Sequence, residues 1–276
     1  MLFRYILVAM FRRALLVSLC LLLLAPYASA DNHQRAVLIT GSNRGIGFEF
    51  ARQYAELGWL VIATARAPGA ADALQALAAD NANVVIEQLD VTDLAGVDAL
   101  AEKYSDQRID VLLNNAAISG SPSLRQKFGR VDYDYFDDFM ATNARGPLKV
   151  AEAFLPHVKM SDRRQIVLVS SIGGSFSAGG RDSCGTMIYR ASKAAANMLM
   201  VNVAEATAMH GVTVTLVNPG LVDTQGMLTE MNEKMKLGLT LVPIKDSVAG
   251  MISVIAAATP ATSGRFYQWS GEELGY

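Results

Sequence analysis

Alternation along the chain predicts an α/β fold, a parallel sheet of about seven strands with helices on both faces, in a single domain. Three observations carry this. Beyond residue 30, apolar runs rich in β-branched residues recur at 36–40 (AVLIT), 60–64 (LVIAT), 83–89 (NVVIEQL), 109–114 (IDVLLN), 165–170 (QIVLVS) and 212–217 (VTVTLV). Helix-length amphipathic stretches separate them, and the runs are near-continuously apolar, as in strands covered on both faces. No internal repeat, low-complexity tract or linker divides 31–276, a length that suits one domain with a large core.

The elements begin after a segment of different character. The chain of 276 residues is 51% hydrophobic, above the ~45–50% of soluble domains. Part of that excess lies in MLFRYILVAMFRRALLVSLCLLLLAPYASA, residues 1–30. Arg12 and Arg13, the apolar run from Ala14 to Leu24 and the Ala28-Ser29-Ala30 ending form the pattern of a secretory signal peptide, with cleavage expected after Ala30. The expected organisation is therefore a leader over 1–30 and a folded domain over 31–276. A start at Met10 gives the same pattern a cleaner beginning. The apolar run is short for a membrane span, which needs about 20 residues. The expected location is accordingly the periplasm or the exterior. An uncleaved membrane anchor and a cytoplasmic protein with a false start are the alternatives. The paired arginines leave the export route open between the general secretory and twin-arginine pathways.

Charge and cysteine content narrow the partners. The formal net charge is −2, and removing Arg4, Arg12 and Arg13 with the leader makes the chain more acidic still. No basic stripe points to nucleic acid. Of two cysteines, Cys20 lies in the leader, so Cys184 alone remains and no internal disulfide can form. His33, His157 and His210 show neither metal spacing nor a hydrolase arrangement, and no metal site is expected. DYDYFDD (132–138) reads as an acidic helix start suited to the helix dipole, with a calcium site as a second reading. Residues 119–131 and 173–186 are polar and glycine-rich and read as loops. Met227, Met231 and Met235 recur at helical spacing and read as core or as a lid over an apolar pocket.

Directly after the first apolar run comes TGSNRGIG, Thr40 to Gly47. Gly41, Gly45 and Gly47 between strand and helix mark the place where a dinucleotide pyrophosphate meets bare backbone N–H groups and a helix N-terminus. Gly41 allows the tight turn, Gly45 the approach of the phosphates, and Gly47 close packing of helix on strand. The sheet is therefore expected to be doubly wound, of Rossmann type. The second strand ends ATARAP, with Arg66 where a carboxylate would suit a free ribose 2′-hydroxyl. With Arg44 inside the turn, this favours NADP(H) over NAD(H).

These residues bring the chain to a family. It resembles the short-chain dehydrogenases/reductases over essentially all of 31–276. TGSNRGIG, LDVTD (89–93), NNAA (114–117), TNARG (142–146), VSS (169–171), YRASK (189–193) and NPGLVDT (218–224) each match a motif of that family. The long segment from Ser171 to Asn197 and the SGRFYQWSGEEL ending are similar to the sniffer-type carbonyl reductase and C-factor branch. The resemblance implies that Gly41, Asn43, Arg44, Gly45, Ile46, Gly47, Arg66, Asp90, Val91, Asn115, Ala116, Tyr189, Lys193, Pro219, Gly220, Val222 and Thr224 touch the cofactor. It implies a homodimer or homotetramer built on the helices of 132–160 and 187–210, or a monomer as in the narrower branch. Ala117 departs from the family's glycine, and its Cβ stands on the adenine ribose side. The ELGY ending lacks the branch's Pro-Trp-like finish.

YRASK places a phenol and an ammonium four residues apart, on one face of a helix. A hydride passing to a ketone or aldehyde leaves an alkoxide that needs a proton. A free phenol, with a pKa of about 10, is a poor acid–base partner near neutrality, and a neighbouring ammonium favours its ionised form. Tyr189 is thus the expected acid/base and Lys193 the group that lowers its pKa. Ser171 would hold the substrate carbonyl, and the resemblance prefers it to Ser170. It also implies that Lys193 binds the nicotinamide ribose and that Asn143 joins the proton relay. The expected partner is a small carbonyl compound or its alcohol. The competing expectation is an exported signalling or binding protein that keeps the fold with little turnover.

Overall fold

The computed structural model describes residues 34–118, 123–178, 185–224, 226–236 and 238–276. The leader, Cys184, and the side chains of Met227, Met231 and Met235 lie outside the described residues.

The first four apolar runs become β1 (Ala36–Ile39), β2 (Leu60–Ala65), β3 (Val84–Gln88) and β4 (Val111–Asn114). The last two become β5 (Gln165–Val169) and β6 (Thr213–Asn218). Between them run α1 (Gly45–Glu56), α2 (Asp72–Asp80), α3 (Leu94–Lys103), α4 (Tyr133–Met140), α5 (Gly146–Lys159) and α6 (Met187–Thr207). Then follow α7 (Met227–Met235), α8 (Ile244–Ala257), β7 (Arg265–Gln268) and β8 (Glu273–Leu274). The sheet has eight strands in the order β3-β2-β1-β4-β5-β6-β7-β8, parallel throughout except that β8 runs antiparallel to β7. The extra strand beyond the expected seven is two residues long, too short for a periodic signal.

The central strands β1, β2, β4, β5 and β6 bury both faces, whereas the edge strand β3 is buried only at Val84. Leu38, Ile62, Leu112, Ile166 and Leu216 pack under α3, α5 and α6. Val37, Ile39, Val61, Leu113 and Val217 pack under α1, α2 and α8. Full burial of one such side chain stabilises by roughly 1.5–3 kcal/mol, which is why apolar residues dominate these central strands.

The two polar stretches are not structureless. A 3-10 turn forms at Leu124–Gln126 in the first and another at Ile172–Gly174 in the second. The acidic stretch starts α4 as expected: the Asp132 carboxylate accepts from the Tyr135 N–H at 3.1 Å, and it pairs with Arg125. Strand order reverses between β1 and β4. In open α/β sheets such a reversal opens a crevice at the carboxyl ends of the strands, where ligands bind.

Candidate active site

A cleft of about 470 Å³ occupies that crevice. Its floor is the glycine turn. Gly41 and Gly45 take φ of +70° and +58°, which side chains with a Cβ rarely adopt. A Cβ on Gly47 would stand 2.2 Å from the Gly41 carbonyl oxygen and 2.4 Å from the Asn115 amide nitrogen. Gly47 therefore serves the turn itself, where close packing on the strand was expected. Asn115 closes the turn from β4: its Nδ2 donates to the carbonyls of Thr40 (2.9 Å) and Gly41 (3.0 Å). The Thr40 hydroxyl accepts from the N–H groups of Asn115 and Ala116.

The turn delivers the start of α1 to the cleft. No side chain caps that helix, no acid lies in its first turn, and its first internal bond is Phe48 N–H to Arg44 O. The preceding N–H groups face the cleft with the positive end of the helix dipole, a ready anion site. Arg44 and Arg66 are exposed on the walls, and neither forms a salt bridge among the described residues. Asp90 and Val91 line the opposite side. Burial pushes the Asp90 carboxyl up, but hydrogen bonds from Thr92 and the charge of Arg66 outweigh it and leave its pKa lowered.

Asn43, Ile46, Asn115, Ala116 and Thr224 line the cleft as the sequence predicts. Tyr189 and Lys193 are not among its lining residues, and neither are Pro219, Gly220 and Val222. The last three form the turn after β6, where the Pro219 carbonyl accepts from Ser247 at 2.7 Å and Gly220 packs against Trp269. Ala117 lines the cleft as well, and Ile118 and Thr142 do so without having been singled out for it. The Ala117 methyl is tolerated because it lies on an exposed wall.

The catalytic candidates gather on α6 and the end of β5. Ser171 starts the 3-10 turn after β5, where its hydroxyl accepts from the Gly173 N–H at 3.1 Å, and the Tyr189 ring stands beside Gly173. Ser170 points the other way, fully buried and bonded to Asn197. Lys193 lies one turn along from Tyr189, its Nζ 6.0 Å from the ring centroid and donating to the Val169 carbonyl at 2.9 Å. Burial pushes this lysine down to about 8. Burial also raises the Tyr189 pKa, against the smaller opposite effect of the Ser171 hydrogen bond. The expected depression of the phenol by the lysine is therefore not what the structure shows. The ammonium is turned to a carbonyl, and desolvation dominates at the phenol.

Asn143 sits in a single π-helical turn, Ala141–Arg145, joining α4 to α5. Its side chain is spent on structure: Oδ1 accepts from Ile118 N–H at 2.7 Å, and Nδ2 donates to Ile118 O and to the Ser192 hydroxyl. Ser192 in turn donates to the Tyr189 carbonyl at 2.7 Å. This line from the cleft wall to the catalytic helix was legible only in part, since Ser192 lies within YRASK but carries no motif signal. Asn218 is a further supporting amide, accepting from the Ile172 N–H next to Ser171 at 3.0 Å.

A cleft with a bare helix start, two exposed guanidinium groups and a floor that admits no Cβ suits an elongated anionic dinucleotide, and the fold around it is that of a dinucleotide-dependent oxidoreductase. Comparison with known proteins agrees. Residues 35–236 match the short chain dehydrogenase family model, and the chain belongs to that family. An NADPH-bound carbonyl reductase from chicken fatty liver superposes with a TM-score of 0.76 at 30% identity, over 88% of this chain and 100% of that one. The carbonyl reductase Sniffer of D. melanogaster gives 0.76 at 25% identity with the same coverages. The C-signal protein of Myxococcus xanthus is 36% identical over 64% of this chain and 98% of its own length. The protein is thus a short-chain dehydrogenase/reductase.

Proposed function

We propose that the protein reduces a ketone or aldehyde to its alcohol with NADPH, or runs the reverse reaction. The observation that carries this reading is the convergence of Ser171 and Tyr189 on Gly173 just after β5, with Lys193 buried one turn along. Bound NADPH supplies the hydride. The bare start of α1 and Arg44 would hold its phosphates, Arg66 its 2′-phosphate, and Asp90 and Val91 its adenosine end. Ser171 orients the substrate carbonyl, and Tyr189, kept protonated by burial, gives its proton to the oxygen that gains charge. Lys193 favours the phenolate once its ammonium faces the phenol rather than Val169. Asn143 contributes by holding Ile118 and Ser192 in place, so any relay water there would find its partners on the main chain.

The test is consumption of NADPH with a panel of aliphatic and aromatic aldehydes and ketones. Turnover of at least one, lost in Ser171→Ala while NADPH still binds, supports the reading. A panel left untouched by a protein that binds NADPH sinks it.

The relative named C-signal favours a second reading, a signalling protein that keeps the nucleotide site with little turnover. Biological activity that survives Tyr189→Phe would select it. We further propose that residues 1–30 direct export, on the strength of their basic, apolar and small-residue pattern. A mature N-terminus at Asp31 is the expected result, and NADP(H) carried out with the folded protein would explain a reductase beyond the cytoplasm.

A further inference from the structure

The first turn of α6 has an unusual partner. Its N-cap, Thr186, makes no side-chain cap bond, and the first internal bond is Arg190 N–H to Thr186 O. The N–H groups before Arg190 therefore lack partners within the helix, as at any helix start. The Tyr189 N–H is satisfied from 63 residues away: it donates to Gln126 Oε1 at 2.9 Å. Gln126 is completely buried, although it lies in a stretch of chain that reads as a polar loop. The same loop is tied to the start of α6 at a second point, by Ser123 N–H to Gly185 O at 3.3 Å. Aromatic contacts make a third tie. Arg125 lies 4.1 Å over the Tyr135 ring, Tyr135 meets Phe139 edge-on at 4.8 Å, and Phe139 meets Tyr189 edge-on at 6.4 Å.

We infer that Gln126 is a positioning residue for the reaction, capping the catalytic helix at Tyr189 and so fixing the phenol against Ser171. The inference rests on the reading of Tyr189 as the acid. Its physical basis is that a buried acceptor directed at one helical N–H fixes the rotation and height of that turn, and the phenol moves with the turn. The exposed Leu124 and Phe128 stand two residues to either side of Gln126. A substrate that presses on them would act on the acid through the same bond.

The test compares Gln126→Met, which keeps the shape and removes the acceptor, with Gln126→Glu, which keeps the acceptor and adds charge, in the full chain. With a carbonyl probe that the wild type reduces, Gln126→Met is expected to lower kcat by about 10-fold or more, as a small misplacement of a reacting group does. NADPH affinity should stay unchanged. Gln126→Glu is expected to restore most of kcat and to move the acid limb of the pH profile upward, because its charge disfavours the phenolate. A Gln126→Met protein with wild-type kcat and pH profile overturns the inference. So does an equal loss in both variants accompanied by lost NADPH binding, which would mean packing alone. Hydrogen exchange at the Tyr189 amide separates the two readings. If the wild type turns over no probe, the acid reading has failed; faster exchange in Gln126→Met than in wild type and Gln126→Glu then still supports the cap, and equal exchange overturns it.

Discussion

The nucleotide half and the catalytic half of the site are built by opposite means. The floor of the nucleotide half comes from eight consecutive residues, Thr40 to Gly47, closed by one asparagine from the neighbouring strand. It works through absence, with no Cβ, no cap and no acid at the helix start. The catalytic half draws on Ile118, Gln126, Asn143, Ser171 and the first turns of α6, which meet only in the folded chain. It works through occupied hydrogen bonds and burial. Backbone groups of the first half stand ready for an anion. In the second half the titratable groups are held neutral or spoken for: burial raises Tyr189 and lowers Lys193, and the ammonium faces a carbonyl. The halves also differ in how they tolerate change, which orders the expected effects.

Tyr189→Phe should have the largest. Removing the acid while leaving the ring and its contact with Phe139 is expected to cost about 10²–10⁴ in kcat, with NADPH binding retained. Steady-state kinetics beside a fluorescence titration checks both. Gly47→Ala comes next and strikes the other half. Its methyl would meet the backbone of Gly41, which cannot swing aside, so a loss of roughly 1–3 kcal/mol of stability is expected. NADPH binding should fail with it, as read from the melting temperature with and without cofactor. If Gly47→Ala binds NADPH normally, the nucleotide half is not a floor that admits no Cβ.

The same contrast explains how much could be read from sequence. The glycine turn, the strand pattern and YRASK are local, and periodicity or spacing exposes them before folding. Arg66 and Thr224 were found because a strand end and a Pro-Gly turn mark their positions. Gln126 was invisible, since a glutamine in a polar stretch gives no sign that its amide is buried against a helix start 63 residues on. Asn143 was found as a motif, but the direction of its side chain depends on a π turn and on Ile118. The raised pKa of Tyr189 was missed for a related reason: spacing reveals that a lysine is near, whereas burial depends on the whole fold.

The lysine gives the third effect. Lys193 titrates near 8 in the folded protein against about 10.5 unfolded, so between these values the unfolded chain binds more protons. Stability of the cofactor-free protein should therefore rise with pH through that window, by about 2 kcal/mol between pH 8 and 10. Above pH 10 the sign reverses, because Tyr189 and Tyr54 keep their protons when folded and lose them when unfolded. Urea denaturation across pH 7–10 checks the rise, and Lys193→Met should flatten it. A flat wild-type profile would mean that the ammonium is solvated, which would erase the difference between the halves.

Arg66→Ala is expected to have the smallest effect and sharpens the comparison most. Arg66 is exposed, so its attraction for a phosphate is screened by water and salt, unlike the interactions of the buried catalytic groups. NADPH should bind about 10-fold more weakly, the value of one charge-assisted hydrogen bond discounted for exposure. NADH, lacking the 2′-phosphate, should be unaffected, and the NADPH penalty should shrink as salt is raised. Fluorescence titrations with both cofactors at two ionic strengths separate these outcomes. Equal weakening of both cofactors would place Arg66 against the adenine instead, leaving Arg44 as the 2′-phosphate partner within the glycine turn.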